Sequence, residues 1–280
     1  MLVGRAQESA ELAAALSAAR DGSGSALALV GDPGIGKTTL LRELVARARG
    51  MTVLEAAGVE SEADLPYAAL VDVLTPTLHR LDALPEAQEA ALSTALALGP
   101  PEAVDRGAVD RFAVGVATLG LLAAAAEDAP VLVVVDDLQW VDTASRGALS
   151  FASRRVAALP VLLVVAQRAG ALHPAGMREL SVGPLDREAA GRLLEERAGR
   201  IAPDVVARIL DAARGNPLAL VELPRLLTTG QLAGTETLAI PIPTGPGLER
   251  AVAVRLEPLS DAGRLATLVV AADSSGVAGV

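Results

Sequence analysis

A short apolar run, Ala26 to Val30, leads directly into Gly31-Asp32-Pro33-Gly34-Ile35-Gly36-Lys37-Thr38. From Thr38 to Arg49 the spacing turns helical, with Leu40, Leu41, Leu44 and Val45 apolar and Arg42, Glu43 and Arg47 polar. Strand, glycine-rich loop and helix in this order are the context a P-loop requires. One such unit cannot bury its own strand, so the rest of the chain must supply a sheet around it.

The remaining pattern does so. Met51 to Ala57, Val131 to Val135 and Val161 to Ala166 read as strands, with Glu179 to Val182 a weaker candidate. The Val131 run is continuously aliphatic, as expected of a strand covered on both faces. Residues 6–19 carry the Leu12/Leu16 spacing of an amphipathic helix, which Asp21-Gly22-Ser23-Gly24-Ser25 ends. Residues 60–128 read as mostly helical, broken at Pro66, Pro76, Pro85 and Gly99-Pro100-Pro101. The alternation predicts an α/β fold with a parallel sheet covered by helices. After Pro184 the strand signals stop. Three short helices are expected over 186–197, 203–214 and 218–227, then a Thr/Gly/Pro-rich linker over 228–247 and a last helical segment over 248–272. The expected organisation is a P-loop domain over 1–183, a helical domain over 184–240 and a further segment over 241–280.

Composition narrows the function classes. The chain is 51% hydrophobic but only 1% aromatic, so its core must be built from Ala, Leu and Val. A formal net charge of -10 argues against this segment gripping nucleic acid, which needs a basic face. Cysteine is absent, which excludes disulfides and thiolate metal sites. The longest apolar run, Phe112 to Ala126, is shorter than the roughly 20 residues of a membrane span and reads as a buried helix. The N-terminus has no signal-peptide pattern. A cytoplasmic protein with no membrane association is expected.

The glycine loop predicts the chemistry. Successive backbone N–H groups at a helix N-terminus surround phosphate oxygens, the lysine reaches the β- and γ-phosphates, and the Thr38 hydroxyl ligates magnesium. Gly31, Gly34 and Gly36 are expected where a side chain would block left-handed turns or the ligand's approach. Lys37 is the only lysine of the chain, against 23 arginines, which argues that the match is no accident. A magnesium-holding carboxylate is needed at the end of a neighbouring strand; Val131 to Val135 followed by Asp136-Asp137 has that form. Asp136 is expected to face the metal and Asp137 to orient or activate the attacking water. Arg168 follows the 161–166 strand and could sense the γ-phosphate. Arg154 and Arg155 are weighed as an arginine finger for a neighbouring subunit, with solvated helix-end positions favoured. His79 and His173 are isolated, Trp140 is expected to pack the loop after the acid pair, and Tyr67 has no evident partner.

Leu2-Val3-Gly4-Arg5, Gly31 to Thr38, Asp136-Asp137-Leu138-Gln139-Trp140-Val141-Asp142 and Gly215-Asn216-Pro217-Leu218-Ala219-Leu220 stand in this order along the chain. In these motifs the sequence resembles the ATPase module of the STAND class, specifically that of large ATP-binding LuxR-type transcriptional regulators. The resemblance implies a three-layer α/β ATPase domain, a helical lid and the start of a winged-helix domain. It also implies that Val3, Gly4 and Arg5 border the adenine pocket, that Thr39 belongs to the phosphate loop, that Pro217 touches the base and that Arg168 holds the sensor position. ATP or ADP with Mg2+ would be the cofactors of a slowly hydrolysing switch that self-associates or meets an inducer. DNA would be bound only through a helix-turn-helix outside these residues, so the chain reads as a fragment or a shortened product. The alternatives are the same module from a cyclase or kinase, and a nucleotide-binding scaffold without turnover.

Overall fold

The computed structural model describes residues 2–98, 110–171 and 175–238. Five strands, β1 (Ser25–Gly31), β2 (Thr52–Ala57), β3 (Val131–Asp136), β4 (Val161–Arg168) and β5 (Arg178–Ser181), form one sheet in the order β2-β3-β4-β1-β5. Every pairing is parallel. The expected strands are all present, and β4 runs two residues beyond Ala166 to include Arg168.

Alternation along the strands builds two cores. Val131, Val133, Val135, Leu163 and Val165 face α3 (Ala68–Leu74), α4 (Glu86–Ala95), α5 (Arg111–Ala126) and α6 (Thr143–Ser153). Leu132, Val134, Leu162, Val164 and Ala166 face α1 (Ala6–Arg20) and α2 (Lys37–Arg47). Since side chains alternate across a strand, a continuous aliphatic run supplies both layers at once. The 112–126 apolar run is the helix α5, buried from Val114 onward with Phe112 exposed, and started by Asp110, whose carboxylate accepts the Phe112 N–H. No helix among the described residues is long and apolar enough to cross a membrane.

The chain divides into two compact units, Met1–Gly183 and Pro184–Val280. The described part of the second is helical: α7 (Arg187–Ala198), α8 (Pro203–Ala213), α9 (Pro217–Arg225) and α10 (Thr229–Leu232). Leu194, Ile209, Leu220 and Leu223 are buried in it. The stretch expected as a linker begins instead with α10, held by a capping box between Thr228 and Gln231. The helical segment expected over 248–272, and with it the winged-helix start, lies outside the described residues, as does His173.

Candidate nucleotide site

β1 ends at Gly31, and α2 begins at Lys37 with Gly36 as its N-cap. Gly34 and Gly36 adopt φ of 74° and 102°, conformations that a Cβ disfavours. Gly31 is required for a different reason from the expected turn or ligand approach. A Cβ there would stand 2.4 Å from the Val182 carbonyl oxygen, because the chain leaving β5 packs directly against the loop.

The Lys37 Nζ donates to the carbonyls of Gly31 at 2.9 Å and Asp32 at 3.0 Å, so the loop curls around its own lysine. Burial pulls this ammonium below lysine's usual range, opposed by the carboxylates of Asp137, Asp136 and Asp32 and assisted by Arg168. A buried cation held by loop carbonyls at a helix N-terminus fits a polyphosphate, which would restore the solvation lost on burial.

The Thr38 hydroxyl donates to Asp136 Oδ2 at 2.6 Å. One hydroxyl and one carboxylate fit magnesium, which keeps several waters and relies on phosphate oxygens rather than a protein cage. Among the described residues no cluster of three His, Cys, Asp or Glu could hold a metal alone. An open cavity of about 640 Å³ adjoins this pair, lined among others by Thr38, Arg42, Glu55, Asp72, Thr75 and Asp136.

Asp137 has φ 48° and ψ 48°, left-handed for a residue with a side chain. Its Oδ1 accepts from Gln139 Nε2 at 2.6 Å, and Gln139 Oε1 accepts from the Arg168 N–H at 3.3 Å. The Arg168 guanidinium lies 5.3 Å from the centroid of the Trp140 ring. As the last residue of β4, Arg168 is register-paired with Gly31. Lys37, Thr38, Asp136, Asp137 and Arg168 are thus brought to one end of the sheet.

The other expected residues fall around this centre or away from it. Arg5 is buried; its guanidinium donates to the Ile35 carbonyl at 2.8 Å and pairs with Glu8 at 2.8 Å, tying the N-terminal segment to the loop. Val3 is half-buried and Gly4 turns the chain with φ 66°. Thr39 is exposed on α2. Arg154 and Arg155 sit at the opposite end of the sheet, before the start of β4, and the Arg155 guanidinium stacks 3.7 Å from the Phe151 ring centroid. In the second unit Asn216 caps α9 by accepting from Leu218 at 3.0 Å and Ala219 at 3.3 Å, and Pro217 is the first helical residue. A Cβ on Gly215 would meet the Leu185 carbonyl at 2.3 Å, so the Gly-Asn-Pro run has a packing role within its own unit.

Two residues had no role assigned to them beyond their place in the 136–142 run. Asp142 is 3% exposed and accepts the N–H of Tyr67 at 2.9 Å, Ala69 at 3.4 Å and Ser145 at 2.8 Å, which gives Tyr67 its partner. An acid directly before a helical run was the available signal for the Ser145 bond. Gln139 carried no signal, because its bridge joins residues 29 apart.

The AAA ATPase domain family matches residues 1–165. An uncharacterised protein of Rhizobium meliloti (strain 1021) is 28% identical over 243 residues, covering 72% of this chain and 22% of that protein. The chain therefore spans less than a quarter of that relative's length. Among solved structures, Cdc6p from Pyrobaculum aerophilum superposes with TM-score 0.54 at 17% identity, over 80% of this chain and 60% of that one. Drosophila ORC bound to DNA gives 0.52 at 16% identity, over 91% and 62%. The STAND protein with a tetratricopeptide repeat sensor from Pyrococcus horikoshii gives 0.44 at 15%, over 88% and 32%. At these identities the Cdc6p and ORC superpositions speak to fold alone. With the family matched over more than half of its length, the chain belongs to the AAA ATPase domain family.

Proposed function

We propose that this AAA-type module is the ATP-binding, slowly hydrolysing switch of a LuxR-type transcriptional regulator of the STAND class. The observation that carries nucleotide binding is the Thr38–Asp136 contact of 2.6 Å beside the buried, loop-wrapped Lys37. The regulator context rests on the ordered runs Leu2 to Arg5, Asp136 to Asp142 and Gly215 to Leu220.

In this reading the loop N–H groups and Lys37 hold the β- and γ-phosphates, and Thr38 with Asp136 holds magnesium, which supplies charge neutralisation on those phosphates. Asp137 orients the attacking water and Arg168 senses the γ-phosphate. Val3, Gly4 and Arg5 border the adenine and Pro217 touches it, while Thr39 extends the phosphate loop. Nucleotide identity then biases two arrangements of the module, provided ATP and ADP bind them with different affinity. Self-association or an inducer would read the outcome, and DNA would be reached only through a helix-turn-helix beyond these residues. The cytoplasm is the compartment this role requires.

Calorimetry with ATP and ADP, with and without magnesium, tests the reading beside Lys37→Ala. Binding weakened at least about a hundredfold by Lys37→Ala is expected, since a desolvated charge pair is removed. A folded wild-type chain that takes up neither nucleotide sinks the proposal. Tight binding with no phosphate release identifies the scaffold alternative instead.

A further inference from the structure

We infer that a second cavity of the first unit, where the strands begin, binds an aliphatic carboxylate; the inference is independent of the ATPase reading above. The cavity measures about 710 Å³, a size suited to a small molecule. Ala14, Ala15 and Ala18 of α1 form one wall. Ala26 and Leu27 of β1, with Val156 from the turn before β4, form the other. In a parallel sheet all strands start at one end, so β1 begins here and reaches the phosphate loop only at its far end. The cavity is therefore separate from the nucleotide site.

Its walls are tied to one another. Arg178 Nη1, at the start of β5, donates to Glu11 Oε2 of α1 at 2.7 Å. The Gly24 N–H donates to the Ala157 carbonyl at 3.2 Å, and the Ser153 hydroxyl donates to the Ala175 carbonyl at 3.2 Å. A Cβ on Gly24 would stand 2.2 Å from the Val156 carbonyl oxygen, so the turn before β4 packs directly on the entry to β1. Walls fixed in this way need no further ordering when a ligand enters, which favours binding.

The rim selects the charge of the ligand. Arg154 and Arg178 line the cavity with a single carboxylate, Glu11. Gly176 has φ 95°, and a Cβ there would stand 2.4 Å from the Arg154 Cγ, so the arginine stem is packed over this glycine at the cavity's edge. Among the described residues the Arg154 guanidinium has no hydrogen-bond or ion-pair partner. Its neighbour Arg155 differs, donating to the Phe151 carbonyl at 3.0 Å and stacking on the Phe151 ring. Two guanidiniums against one carboxylate leave a local positive charge beside an apolar wall, in a chain of formal net charge -10. A guanidinium fork matches a carboxylate, and an aliphatic tail would cover the alanine methyls. Were the cavity only a seam between α1 and the turn, an apolar molecule would enter it whatever its charge.

Calorimetry on the full chain compares octanoate with acetate, which lacks the tail, and with octylammonium, which reverses the charge. Octanoate is expected to saturate at or below about 1 mM, with both controls at least about tenfold weaker. Arg154→Ala and Arg178→Ala should each weaken octanoate about tenfold, the loss of one charge-assisted contact. Ala15→Leu, which fills the apolar wall, should weaken it as much while the thermal midpoint is kept. Lys37→Ala should bind octanoate as the wild type does, whatever becomes of ATP. A folded wild type that shows no saturation up to about 10 mM overturns the inference, and so does octylammonium binding within about twofold of octanoate. Octanoate binding that survives all three cavity variants, or that Lys37→Ala removes, puts the ligand elsewhere and overturns it too. Failure to bind ATP counts against the ATPase reading alone.

Discussion

Asp142 concentrates three backbone N–H groups on one buried carboxylate. Two come from the start of α3 and one from the first turn of α6, while the Ser145 hydroxyl beside it accepts the Leu70 N–H at 3.0 Å. The pair therefore anchors α3 to the loop that carries Asp136 and Asp137. Asp142→Ala leaves buried donors without acceptors, at a cost of about 3 kcal/mol. For a chain of this size that is a fall in thermal midpoint of roughly 10 °C, with Asp142→Asn falling less because one acceptor remains. Calorimetric or optical melting reads the difference. Equal midpoints for Asp142→Ala and wild type would show that water replaces the carboxylate.

At the scale of elements, the position of β4 decides the site. It lies between β1 and β3, so the phosphate loop and Asp136 are separated by one strand and Arg168 ends between them. β2 closes the arrangement from the far side. A Cβ on Gly58, the residue after β2, would stand 2.3 Å from the Asp137 carbonyl oxygen and 2.8 Å from the Val141 N. Gly58→Ala is therefore expected to push the 137–141 loop outward. The destabilisation should be about 2 kcal/mol, since the obstructing atoms are backbone and cannot rotate away. Phosphate release should slow as well, because Asp137 moves with that loop. A variant with the wild-type melting curve and rate would show that the loop yields without effect on the site.

The whole molecule is two units, and the cores on both faces of the sheet end at Val182 among the described residues. Residues 1–183 thus carry a complete set of apolar layers and the full phosphate loop. Expressed alone, this piece should melt cooperatively and retain magnesium-dependent nucleotide binding. If Pro217 touches the base as proposed, its affinity should be about tenfold below that of the whole chain, a loss of about 1.4 kcal/mol. Thermal melting and calorimetry on the fragment check both statements. A fragment that does not fold would mean that the second unit completes the first core.

Much of this was legible before any coordinates. The glycine loop between a strand and a helix, the aliphatic runs of β3 and β4, and the acid pair closing β3 are local patterns, and local patterns are what backbone sterics and side-chain alternation read directly. The end of β4 was placed two residues short, because Gln167 and Arg168 are polar and only pairing with Val30 and Gly31 keeps them in the sheet. The Gly31 requirement, the buried role of Asp142 and the Gln139 bridge were not legible. Each depends on groups that the chain brings together from far apart: Val182 against Gly31, Tyr67 against Asp142, Arg168 against Gln139. The sequence by itself determined that this chain builds a parallel sheet with a phosphate loop, since spacing and glycine placement leave little else. The order of the strands, and through it the company Asp137 keeps, was decided only by tertiary packing, where several orders bury the same apolar strands and long-range fit selects one.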